Sequence, residues 1–105
     1  MIVEFDEDAR EELEHGRRRY DGERPGLGDE FVDEMEKIIS DIADGDHTHL
    51  IKVEGSRAQR RLGERFPYEI IFFVSGDILL IVAIAHQHQE PGYWKSRLRG
   101  ANRPR

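Results

Sequence analysis

The sequence predicts an α+β fold, a two-helix hairpin packed on a mainly antiparallel four-stranded sheet in the order β-α-α-β-β-β. Three observations predict it. Residues 31 to 42 carry apolar side chains at helical spacing, two dense apolar runs flank a turn at Ser75-Gly76-Asp77, and a breaker cluster separates two helical stretches early in the chain.

Ile2 to Phe5 alternates as a short first strand. Asp6 then supplies an N-cap, with Glu7 and Asp8 placed favourably at the positive end of a helix. That first helix is expected to reach about Tyr20 or Asp21, with Ala9, Leu13 and Tyr20 on one face. Gly16 interrupts it at a cost of about 1 kcal/mol relative to alanine, which points to close packing against the second helix or a local kink. Gly22 to Gly28 holds three glycines and Pro25, so one helix stops and another starts there. In the second helix Phe31, Met35, Ile38, Ile39 and Ile42 form the buried stripe, and the short connection makes the pair antiparallel.

Asp44-Gly45-Asp46 ends the second helix, and an irregular loop follows with extended structure around Leu50 to Val53. Arg57 to Leu62 reads as a strand turning its arginines to solvent. Ile70 to Val74 and Ile78 to Ala85 are too short to span a membrane as helices and rich in β-branched residues. They read as a hairpin buried on both faces. A short C-terminal helix is expected from Gly92 to Arg97. Residues 1–99 form a single domain, with 100–105 as a flexible tail.

At 105 residues the chain suffices for a single core burying roughly two thirds of its unfolded surface. The absence of cysteine excludes disulfide scaffolds and thiolate metal sites. The amino terminus lacks a signal-peptide pattern and no run is long enough for a membrane span, so a soluble cytoplasmic protein is expected. Net charge is −6, but it is unevenly spread. Residues 1–56 carry 7 Lys and Arg against 18 Asp and Glu, whereas residues 57–105 carry 9 against 4. An acidic helical layer is thus joined to a basic sheet and tail.

The basic set is Arg57, Arg60, Arg61 and Arg65, then Lys95, Arg97 and Arg99. Arginine grips phosphate or carboxylate in two places, so these residues suit an RNA backbone or an acidic partner segment, or else neutralise the helices internally. Tyr93 and Trp94 are residue types that anchor protein interfaces, although a tryptophan after a Pro-Gly turn also covers the end of a sheet well. His47-x-His49 and His86-x-His88 would each place two imidazoles on one side of a strand, but no third ligand accompanies either pair, so no metal site is expected. His86 reads as structural and His88 as exposed. Gly26-Leu27-Gly28 has neither the third glycine nor the preceding strand of a nucleotide loop.

Four features occur in order: Glu23-Arg24-Pro25-Gly26-Leu27-Gly28 between the helices, Arg65-Phe66-Pro67-Tyr68 opening a strand, a strand ending in Ala85-His86, and Pro91-Gly92-Tyr93-Trp94 before a basic end. From Ile2 to about Leu98 the chain resembles the RelE/ParE superfamily of type II toxins, its ParE-like, plasmid-stabilisation branch above all. The resemblance implies the toxin component of a toxin-antitoxin pair, neutralised by a cognate antitoxin and assembled as a homodimer or a toxin-antitoxin hetero-oligomer. A ParE-like member is not an enzyme, needs no cofactor, and inhibits growth by binding an essential target such as DNA gyrase. Its target- or antitoxin-binding residues would be Arg57, Arg60, Arg61, Arg65, His88, Tyr93, Trp94, Lys95 and Arg97.

A RelE-like member would instead be a metal-independent, ribosome-dependent mRNA endoribonuclease with the ribosome and mRNA as partners. Such cleavage needs a base, an acid and a cation, which Arg60, Arg65, His86, His88 and Tyr93 could supply. The net negative charge favours the protein-directed reading over the nuclease. A third alternative is a degenerate, non-toxic interaction module.

Overall fold

The computed structural model describes residues 1–101, the last three by backbone alone. The elements are β1 (Ile2–Phe5), α1 (Glu7–Glu23), α2 (Leu27–Ala43), β2 (Ile51–Lys52), β3 (Gln59–Leu62), β4 (Tyr68–Ser75), β5 (Ile78–His86) and α3 (Lys95–Ala101). The sheet has five strands rather than four, ordered β1-β5-β4-β3-β2. The additional strand is the two-residue β2, formed within the extended stretch expected at Leu50 to Val53. β1 runs parallel to β5 and every other pair is antiparallel, so the helical hairpin is the crossover connection that a parallel pair requires.

Two other boundaries differ from expectation. α1 continues past Asp21 to Glu23, because no breaker acts before Pro25. α3 begins at Lys95, since Gly92 adopts a left-handed φ of 80° that helical geometry forbids, and it runs to Ala101, into the expected tail. The rest of that tail, 102–105, lies outside the described residues. No described helix is long and apolar enough to cross a membrane.

The hairpin of α1 and α2 covers one face of the sheet. Phe31 and Met35 are fully buried there among Tyr20, Phe66, Tyr68, Ile70, Phe72 and Ile81. The aromatic rings meet edge-on, Phe31 to Tyr68 at 4.7 Å between centroids and Tyr20 to Phe66 at 4.8 Å. Two glycines let the helices approach. A Cβ on Gly16 would lie 2.6 Å from the Phe31 ring, and one on Gly28 would collide with the Arg17 carbonyl. Asp21 completes the contact by accepting a hydrogen bond from the Gly28 N–H at 2.8 Å.

The opposite face carries a smaller cluster, with Trp94 and Leu98 of the C-terminal segment over Ala58, Ile71, Phe73, Val82 and Ala83. Both faces of the β4–β5 hairpin are therefore buried. A β-bulge lies in β5: Ile71 pairs with Ala83 while its neighbour Phe72 pairs with Ile81, so Val82 is the extra residue. Val82 and Ala83 consequently point to the same face.

Gly16→Ala tests the helix contact. In an exposed helix interior the change would gain about 1 kcal/mol; here the methyl meets the Phe31 ring, and overpacking should make the variant less stable by about 1–2 kcal/mol. Urea unfolding with an unchanged or raised midpoint would contradict that packing.

Candidate functional site

β1 is four residues long and β5 is nine, so the parallel pairing stops at Phe5 opposite Ile81. Beyond that point the edge of β5 is finished by side chains. Glu12 of α1 accepts from the Ile84 N–H at 3.1 Å, and Arg97 of α3 donates to the Val82 carbonyl at 3.0 Å. The two side chains also clasp each other in a bidentate pair at 2.8 and 3.1 Å, and the Tyr93 hydroxyl donates to Glu12 at 2.6 Å. Burial, then the Glu12 carboxylate, pushes the Tyr93 phenol above its ordinary range. A phenol held that way keeps its proton.

This network gives Tyr93 and Arg97, both half-buried, partners within the chain. Trp94, 3% exposed, fills the second cluster. Arg60 and Arg61 are successive residues of a strand and therefore point to opposite faces, so the strand does not turn all its arginines to solvent. Arg61 enters the helix side, 8% exposed, at 3.9 Å from Asp41 and 3.7 Å from Asp46 near the end of α2.

The other cations remain at the surface but have neighbours of their own. Arg60 pairs with Glu69 of β4 at 3.2 Å. Arg65, 55% exposed, reaches Glu30 of α2 at 2.8 Å and lies over the Phe66 ring. Its backbone is held too, since Glu34 accepts from the Arg65 and Phe66 N–H groups at 2.8 and 3.1 Å. Arg57 lies over the Phe73 ring at 5.5 Å. Lys95 is exposed at the start of α3, while the Arg99 side chain lies outside the described residues.

His86 stands directly opposite Tyr68 in the hairpin, its ring edge-on to the phenol at 5.1 Å. His88 is exposed and stacks on His86 at 5.2 Å, and its N–H donates to His86 Nδ1. Desolvation, followed by the charges of Arg19 and His88, holds the His86 imidazole below its ordinary range. Among the described residues no three His, Asp or Glu side chains converge as metal ligands. Of the residues considered for RNA cleavage, Arg60 pairs with Glu69 of β4, Arg65 with Glu30 of α2, and Tyr93 donates to Glu12.

Sequence reasoning missed the residues of α1. A cleft of about 800 Å³ runs between α1 and the end of β5, and His15, Arg18 and Arg19 line it together with His86, Gln89 and Arg97. The signal available in the sequence was spacing, since Asp8, Glu12, His15 and Arg19 recur at three- and four-residue intervals. A second groove, of about 480 Å³, flanks β1 and is lined by Val3, Phe5, Leu13, Ile39 and Ala43, with Arg10 and Glu36 among them.

With this geometry in view, comparison with solved structures finds the same architecture in the chromosomal ParDE TA system from P. aeruginosa, at a TM-score of 0.72. The sequences are 17% identical, and the alignment covers 82% of this chain and 95% of that one. The likeness is one of fold. No family model matches the sequence, and no curated protein matches it.

Two measurements test the site as described. Glu12→Ala strands a largely buried Arg97 and an edge N–H, and should cost about 2 kcal/mol or more in urea unfolding; a loss under 0.5 kcal/mol, roughly that of an ordinary surface substitution, would show the network to be dispensable. In an NMR pH titration His86 should gain its proton below the ordinary histidine range, and Arg19→Ala should move its midpoint upward. Because the folded-state value is depressed, the neutral imidazole's contribution to stability is present above the unfolded value of about 6.5 and is lost as pH falls through the folded one.

Proposed function

We propose that this chain is the toxin half of a type II toxin-antitoxin pair, of the ParE-like kind, acting by binding an essential protein target, DNA gyrase being the first candidate. The observation that carries the reading is the fold shared with a chain of a ParDE TA system over 95% of that chain's length. The charge arrangement supports it against a ribonuclease, because Arg60, Arg61, Arg65 and Arg97 already face carboxylates. Tyr93, with its proton held by burial and Glu12, is a poor acid for cleaving RNA.

The cognate antitoxin would add a strand to the outer edge of β1 and lay apolar side chains into the groove beside it. β1 is the end strand of the sheet, with Ile2 56% and Val3 38% exposed. A strand with one free edge next to an apolar groove offers main-chain pairing for affinity and side-chain pockets for choice of partner. Gyrase would be met by the surface that keeps Arg57, Arg65, His88 and Lys95 accessible.

Induced expression should arrest growth and disturb DNA supercoiling while leaving translation running. Co-expression of an adjacent short reading frame with a DNA-binding amino terminus should relieve the arrest, and Val3→Lys should weaken that relief by placing a charge on the pairing edge. Arrested translation with cleaved mRNA would establish the ribonuclease instead. Normal growth without the antitoxin would sink both toxin readings and leave the non-toxic interaction module.

A further inference from the structure

The cleft beside α1 is electrically divided along its length. From Asp8 to Arg19 the helix advances about 16 Å, at roughly 1.5 Å per residue. Asp8, Glu11, Glu12 and Glu14 lie in its first half with Arg10, against Arg97, and His15, Arg18 and Arg19 lie in its second, with Tyr68, His86 and Gln89 across the cleft. The carboxylates are largely committed. Glu12 serves Arg97, Tyr93 and Ile84, and Glu14, held down to about 2 chiefly by its hydrogen bond with Arg17, reaches Arg18 only at 3.4 Å.

The cations of the second half are not similarly committed. Arg18 is 72% exposed, and its ion pair is that single long contact. Arg19 makes no ion pair among the described residues and stands 5.9 Å from the Tyr20 ring. Opposite them His86 lines the cleft, and its Nδ1 accepts the His88 N–H, which leaves its Nε2 as the nitrogen able to donate.

We propose that the His15–Arg18–Arg19–His86 end of this cleft binds a phosphate group, either as free phosphate or as the phosphate of a nucleotide. Two guanidinium forks and imidazole donors on two walls match the several acceptor oxygens and high charge of phosphate. The exposed His88 ring, already stacked on His86, gives an attached base a surface to continue the stack. Neither β1 nor its groove takes part in this site, which shares only His88 with the surface proposed to meet gyrase.

The test uses the full chain, with inorganic phosphate and adenosine monophosphate as probes, following the histidine imidazole resonances by NMR. Both probes should shift His86 and His15 saturably. The Arg18→Ala/Arg19→Ala double variant, altered only at exposed side chains and checked for folding by circular dichroism, should bind at least tenfold more weakly. Tighter binding of the nucleotide identifies a nucleotide phosphate as the ligand, and equal binding identifies free phosphate. Shifts that do not saturate, that chloride reproduces at equal ionic strength, or that persist at full strength in a folded double variant would overturn the site.

Discussion

The mismatch in length between β1 and β5 is the constraint on which the rest of the structure depends. A nine-residue strand bordered by a four-residue neighbour leaves backbone N–H and C=O groups without a strand partner in a half-buried place. Glu12 and Arg97 supply those partners. One comes from the first helix and the other from the last, so a local need of the sheet ties the ends of the chain together. Removing either charge would leave the other largely buried without its principal counter-charge, which makes the pair a structural necessity rather than a surplus of stability.

The chain's two opposed charge blocks also meet elsewhere in the fold. Taken by themselves, an acidic helical half and a basic second half would offer one face to cations and another to anions. Folding brings much of that charge together internally. Arg61 enters the core side near Asp41 and Asp46, Arg65 meets Glu30, and Arg97 meets Glu12. What remains outside is more selective: an apolar edge at β1, and a cationic pocket contributed by the acidic half itself through Arg18 and Arg19.

The sequence made the fold legible where periodicity was strong. The stripe Phe31, Met35, Ile38, Ile39 and Ile42 is the buried face of α2, Gly16 marks a close helix approach, and the two apolar runs around Gly76 are the central hairpin. The two-residue β2 was not resolvable as a strand, because two residues carry no period and its pairing with β3 is set by tertiary contact. The site was less legible. Residue type nominated Arg61, Tyr93, Trp94 and Arg97, but whether a polar or aromatic side chain binds a partner or completes the interior depends on neighbours distant in the chain. Glu12 lies 81 residues from Tyr93 and 85 from Arg97, beyond the reach of any local pattern.

The extra residue at Val82 works as a switch of parity. Up to that point alternate residues of β5 serve the helix side by one rule, and after it by the opposite rule, so Ile84 and His86 fall beside α1 while Ala85 falls away from it. Were the strand to keep its length but alternate without the bulge, His86 would be carried to the side of Trp94, leaving Arg18 and Arg19 without His86 across from them. The doubling of one face at Val82 and Ala83 thus decides which wall of the molecule receives the chemistry of its last strand.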